Sequence, residues 1–258
     1  MTVLAVVNQK GGVGKTTTAV NLGACLGARG ARVLLIDCDP QANATSSLGM
    51  RSPVRTMYDV LIHDLYAPLA VVATGAGGVD LLPAGEDLGG AETELLDAEC
   101  TEGRLRVAIE EVQRQYDYVL IDCPPALGLL TLNALNAADS VLVPVQCDYL
   151  ALEGLARLMN TLERVRASSN PGLRIFGLVL TMYDGRTTLS QQVAQEVRDH
   201  YPRLTFQTAI PRAVRLSEAP SFGRSILEYD RLSRGAEAYR ALASEVAVRA
   251  RDPAGKEE

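Results

Sequence analysis

Asn8-Gln9-Lys10-Gly11-Gly12-Val13-Gly14-Lys15-Thr16-Thr17 is the stretch on which the reading of this chain turns. It is a variant of the phosphate-binding pattern Gly-x-x-x-x-Gly-Lys-Thr, with an extra lysine, Lys10, near its start. Gly11, Gly12 and Gly14 around Val13 let successive backbone N–H groups close on an anion, and the helix that follows adds the positive end of its dipole. Lys15 is then the lysine that grips the terminal phosphates. The Thr16 hydroxyl, with Thr17 behind it, is placed for magnesium. Lys10 reaches elsewhere, towards a nucleotide held by a second subunit, so the loop predicts a nucleotide-dependent dimer.

The flanks agree with this reading. Val3-Leu4-Ala5-Val6-Val7 predicts a short buried strand and Thr16 to Arg29 a helix, so strand, glycine loop and helix follow in order. Lysine usage is a second, independent argument. Of 25 basic residues only Lys10, Lys15 and Lys256 are lysine, and two of them fall in this loop. A planar guanidinium does not replace a compact ammonium threaded among phosphates.

Working outward, Ala31 to Ile36 predicts a second strand that ends in Asp37-Cys38-Asp39-Pro40-Gln41-Ala42-Asn43. In open parallel sheets ligands bind at the carboxyl ends of the strands, so Asp37 and Asp39 are expected to face the same crevice as the glycine loop. Tyr118-Val119-Leu120-Ile121-Asp122 has the pattern of a Walker B strand, with Asp122 holding magnesium, most simply through water. Val79 to Gly85 predicts a strand followed by a turn, Phe206 to Ile210 another strand, and Ser140 to Val145 and Arg174 to Leu180 two more, whose continuous apolar runs are those of a sheet covered on both faces. Polar switches follow at Gln146-Cys147-Asp148 and Thr181 to Thr187. The stretch from Glu86 to Glu102 predicts a solvated helical face, and Ala236 to Arg251 a helix whose Leu242, Val246 and Val248 stripe packs on the core.

Composition bounds the rest. With 258 residues, 47% of them hydrophobic, the chain suits one α/β domain, a three-layer sandwich with a mostly parallel sheet, over residues 1–251 and a polar tail over 252–258. No leader-like or membrane-spanning run is found, so a cytoplasmic protein is expected. Five cysteines, at 25, 38, 100, 123 and 147, have no Cys-x-x-Cys spacing and read as reduced thiols. His63 and His200 lie far from every motif and read as surface or capping residues.

Together Lys10–Thr17, Leu35–Asn43, Val119–Pro125, Thr181–Thr187 and Ile210–Gly223 resemble the ParA/Soj family of partitioning ATPases over nearly the whole chain. The loop alone marks the wider group that includes MinD and nitrogenase iron proteins; the last two segments point to partitioning. The resemblance implies ATP and Mg2+ as cofactors, and a homodimer closed around two ATP molecules that binds double-stranded DNA without sequence preference. It also implies a ParB-like centromere-bound partner that stimulates slow, dimer-dependent hydrolysis, and association with the nucleoid. It assigns the trans role to Lys10, phosphate binding to Lys15, the metal to Thr16 with Asp37 nearby, the hydrolytic water to Asp39, and the adenine base to Pro211 and Arg212.

DNA binding sits awkwardly with a net charge of −6. The distribution resolves part of the conflict: residues 1–159 carry 10 basic against 19 acidic side chains, whereas residues 160–258 carry 15 against 12. Arg186, Arg215, Arg224, Arg231 and Arg234 are the candidate phosphate contacts, which a dimer would align into one strip. The competing expectation is a MinD-like membrane switch, which needs a C-terminal helix with an unsatisfied apolar face.

Overall fold

Alternate residues of the central strands feed two different cores. In β1 (Thr2–Val6), Val3 and Ala5 face one side of the sheet and Leu4 and Val6 the other, and all four are buried. The same alternation runs through β2 (Val33–Asp37), β5 (Tyr118–Asp122) and β6 (Ser140–Gln146), which explains why their sequences read as continuous apolar runs. The computed structural model describes residues 1–96 and 101–251; Cys100, part of the acidic stretch and the 252–258 tail lie outside the described residues.

The sheet has eight strands in the order β3-β4-β2-β5-β1-β6-β7-β8, with β3 Val72–Ala73, β4 Val79–Leu82, β7 Arg174–Tyr183 and β8 Thr205–Pro211. All pairings are parallel except that of the short edge strand β3, which sequence reading did not find. One face is covered by α1 (Lys15–Gly27) and α11 (Arg234–Arg251). The other face carries α6 (Leu129–Ala137), α7 (Ala151–Ser168) and α8 (Thr188–His200), with shorter helices packed beside them. The three-layer sandwich is as expected.

Strand β1 lies between β5 and β6, so the chain winds away from it in both directions and leaves a crevice at its carboxyl end. Register makes the crevice specific: Val6 pairs with Asp122, and Asp37 pairs with Asp122 from the other side. Strand β7 runs three residues further than its apolar run suggests, because Thr181 still pairs with Gln146 and Tyr183 with Pro211. In α11, Leu242 and Val246 are buried as expected, but Val248 is 70% exposed. It falls on the outer side of the helix once Tyr239, Leu242 and Val246 set the buried face.

Candidate nucleotide site

The loop between β1 and α1 turns on two glycines in the left-handed region, Gly12 (φ 75°) and Gly14 (φ 90°). Side chains rarely tolerate that conformation. A Cβ placed on Gly11 or Gly12 would meet nothing within 4 Å, so the loop borders open space on that side. Its shape is braced from behind. Asn8 Nδ2 donates to Pro144 O at 2.7 Å, Asn8 Oδ1 accepts from the Lys10 N–H at 3.0 Å, and the Thr181 hydroxyl donates to Val13 O at 2.8 Å. Asn8 and Thr181 are buried residues that sequence reading placed within its motifs but assigned no bracing role; a polar residue at a predicted strand end was the available signal.

The two lysines diverge. Lys15 is 6% exposed and its ammonium donates to Lys10 O at 3.2 Å, across the mouth of the loop. Burial pulls its pKa down, while the charges of Asp122 and Asp39 oppose that shift. The Lys10 side chain is 40% exposed and its ammonium forms an ion pair with Asp148, just after β6. Thr16 and Thr17 follow in the first turn of α1, where the Thr17 carbonyl accepts from Asn21 Nδ2.

Facing Lys15 is a group of three carboxylates. Asp122 is wholly buried and neither oxygen makes a hydrogen bond. Burial raises its pKa well above the carboxylate range and the charge of Asp37 adds to this, while the Thr16 hydroxyl beside it acts the other way. A carboxylate left unpartnered in a dry site is costly, and a cation is what completes it. The donor set therefore fits a hard cation such as magnesium, which Asp122 and Thr16 would hold. Asp37 differs: it accepts from the Thr45 N–H at 2.8 Å, the Thr45 hydroxyl at 2.7 Å and the Asp39 N–H at 3.2 Å. Burial still lifts its pKa to about 6 despite those bonds from Thr45. With its oxygens engaged, Asp37 shapes the charge around Asp122. Asp39 lies in the turn after β2 and accepts the Gln41 N–H at 3.0 Å.

The remaining sequence candidates are spread along the same edge and beyond it. Pro211 ends β8 beside Tyr183, and the exposed Arg212 donates its N–H to Tyr183 O at 3.1 Å. Arg186, in the turn after β7, makes two bonds to Asp184, whose carboxyl is held far below its usual range by that guanidinium. Arg215 is bound to Glu218 and Asp230 and lies 5.9 Å from the Tyr229 ring. Arg224, Arg231 and Arg234 are exposed. His63 caps a short helix and His200 bonds the Glu196 carbonyl, both away from the crevice.

This geometry has close counterparts. An AAA-domain family model matches residues 1–175. A chromosome partitioning protein ParA of Caulobacter vibrioides is 54% identical, covering 98% of this chain and 97% of the relative. The sporulation initiation inhibitor protein Soj of Bacillus subtilis is 53% identical, with 95% and 98% covered. The chain belongs to the ParA/Soj family of chromosome-partitioning ATPases. Among solved structures similar to this ParA/Soj chain is one from Mycobacterium smegmatis, described as cobyrinic acid a,c-diamide synthase with a bound ATP analog and magnesium. Its TM-score is 0.86 at 40% identity, with 98% of this chain and 97% of that one covered. The cell division ATPase MinD of Pyrococcus furiosus follows at TM-score 0.81 and 29% identity, with 96% and 98% covered. The ParA/Soj assignment and the P-loop sandwich agree.

Proposed function

We propose that this ParA/Soj protein is an ATP-driven switch for DNA segregation. ATP with Mg2+ binds the crevice, two copies close face to face around their nucleotides, and the homodimer holds double-stranded DNA of any sequence. A ParB-like centromere-bound partner then stimulates hydrolysis, and the ADP form leaves the nucleoid. The observation that carries this reading is the divergence of the two lysines. Lys15 lies within the loop, whereas Lys10 turns its ammonium away, to Asp148 on the loop's outer side.

In this reading Lys15 and the N–H groups of Gly11 to Thr17 hold the β- and γ-phosphates, and Thr16 and Asp122 hold magnesium, which neutralises charge on those phosphates. Asp39 orients the attacking water. Lys10 of one copy adds positive charge to the other copy's γ-phosphate only after closure, so turnover is slow in the monomer. Pro211 and Arg212 flank the adenine, and Arg186, Arg215, Arg224, Arg231 and Arg234 meet DNA phosphates.

The test is retention on non-specific double-stranded DNA with ATP, ADP or no nucleotide, using Asp39→Ala to suppress turnover. ATP-only retention that falls with salt is expected. A dimer by light scattering that fails to bind DNA would overturn the DNA-carrier role while leaving the nucleotide switch standing. A MinD-like membrane role has less support, because the apolar face of α11 is already packed against α1 and β8. Among the described residues no helix is long and apolar enough to cross a membrane. An amide-forming activity, as in the name of the Mycobacterium smegmatis structure, is also less supported, since the relatives named for partitioning are the more similar in sequence.

A further inference from the structure

Away from the crevice, a cleft of ≈ 550 Å³ opens between the end of α1, the turn at Ala76–Gly77, α10 (Ile226–Tyr229) and α11. Three arginines from three segments line it: Arg29 just beyond α1, Arg231 between α10 and α11, and Arg240 on α11. None of the three is in an ion pair among the described residues. Arg29 is steadied by Ser244 Oγ at 3.0 Å, and Arg240 by the Arg231 carbonyl at 2.9 Å, which leaves further N–H donors on each guanidinium. The walls between them are small and largely apolar, with Ala24, Cys25, Ala28 and Ala241 among them.

Two acids share the lining. Glu228 is engaged at home, accepting from the Ser225 N–H at 3.0 Å and the Ser225 hydroxyl at 2.8 Å, and Glu237 stands in the first turn of α11. The arginines therefore outnumber the acids by one, and one oxygen of Glu228 is turned to Ser225. Their field reaches the buried wall: Arg240 and Arg29 both act to lower the Cys25 pKa, although burial dominates and pushes that thiol up to about 12. A pocket of this size, mostly apolar with a few convergent polar groups, is the form that small-ligand sites take. Guanidiniums favour phosphate oxygens, to which they donate in pairs.

We infer that this cleft is a second ligand site, separate from the nucleotide crevice, for a small phosphate monoester carried on an apolar or aromatic body. The separation is set by α1, whose 13 residues span about 20 Å from Lys15 at the glycine loop to Gly27 beside the cleft. A nucleic-acid backbone lacks the apolar body that these walls would cover, so the cleft itself suits a small ligand, and Arg231, which the proposed function also places against DNA, would be shared between the two surfaces.

The test uses the full chain saturated with ADP and Mg2+, so that the loop is filled, and titrates 1-naphthyl phosphate. The chain has no tryptophan, which leaves the naphthyl fluorescence clear. Saturable binding at one site is expected, with 1-naphthol and inorganic phosphate each at least about tenfold weaker. Arg29→Ala and Arg240→Ala should each weaken binding about tenfold, the equivalent of one charge-assisted hydrogen bond. Ala28 is exposed, so Ala28→Phe should obstruct the cleft without unfolding the chain and without adding an indole; unchanged thermal unfolding of each variant checks this. No saturable binding would overturn the site, as would binding untouched by Ala28→Phe. Loss of DNA retention in the arginine variants with naphthyl phosphate binding unchanged would reassign the cleft to the DNA backbone.

Discussion

At the residue scale, the unpartnered Asp122 is where stability and activity conflict. Its pKa is raised by burial, and that of Asp37 to about 6, so the folded state keeps protons that the unfolded chain has released. The stabilisation from those protons is full below the ordinary carboxylate pKa of about 4 and is lost as pH rises through the raised values. At pH 7.5 the unfolded carboxylate is ionised, so folding either buries that charge or takes up a proton against the pH, and Asp122→Asn removes that cost. Asp122→Asn should raise the melting temperature at pH 7.5 without nucleotide or metal by roughly 2–4 °C, the equivalent of about 1 kcal/mol, while abolishing Mg2+-dependent hydrolysis. The gain should shrink on acidification and vanish towards about pH 4, where the unfolded carboxylate protonates as well. A gain that grew on acidification would contradict this account. The Lys10–Asp148 pair gives a second prediction. Both side chains are partly exposed, at 40% and 28%, so the pair is modest in strength, yet it must break for Lys10 to reach another subunit. Asp148→Ala should lower the concentration for ATP-dependent dimerisation about threefold by light scattering. An unchanged or higher midpoint would show that the pair does not restrain Lys10.

At the element scale, the parallel strands and the glycine loop were legible in the sequence because each is set by local pattern, whereas the two-residue edge strand β3 was too short to carry one. Alternation, apolar runs and positive-φ glycines need no distant partner to be read. What brings elements together was not legible. Thr45 holds Asp37 from the short helix α2 (Asn43–Ser47), Thr181 braces Val13 across 168 residues, and Asp148 meets Lys10 across 138. Each contact joins chemically ordinary residues that only the strand order makes neighbours. The close approach of Gly49 and Gly223 is of this kind. Gly223 has φ 63°, and a Cβ on it would lie 2.6 Å from the Gly49 Cα. Gly223→Ala should therefore destabilise the fold by about 1–3 kcal/mol, from combined strain and overlap. Gly77→Ala is the control, since a Cβ there meets nothing within 4 Å; its melting temperature should match wild type. Equal melting of the two variants would remove the overlap argument.

At the scale of the whole molecule, the proposed function raises the question of how an acidic chain would hold an acidic polymer. The charge count places the basic excess beyond residue 160, but the structure divides those arginines into kinds that a count cannot separate. Arg215 is tied to Glu218 and Asp230, and Arg186 to Asp184, so part of the positive charge is met at home. Removing a half-buried acid beside such an arginine should then act on DNA as much as removing an arginine does. In the ATP-bound state, Asp184→Ala frees Arg186 and deletes one negative charge from the same surface in each copy of the dimer. DNA affinity should rise about threefold at 0.1 M salt, while Arg186→Ala lowers it and leaves the dimer intact. If wild type meets about six phosphates, log affinity falls against log salt with a slope on the order of −5. Asp184→Ala should steepen that slope by up to about 2, because one additional arginine per copy becomes free to displace a counterion. Affinity that rose with no change in slope would mean that Asp184 acts by repulsion alone. A fall in affinity would mean that Asp184 holds Arg186 in its binding pose, and would make the ion pair part of the DNA surface.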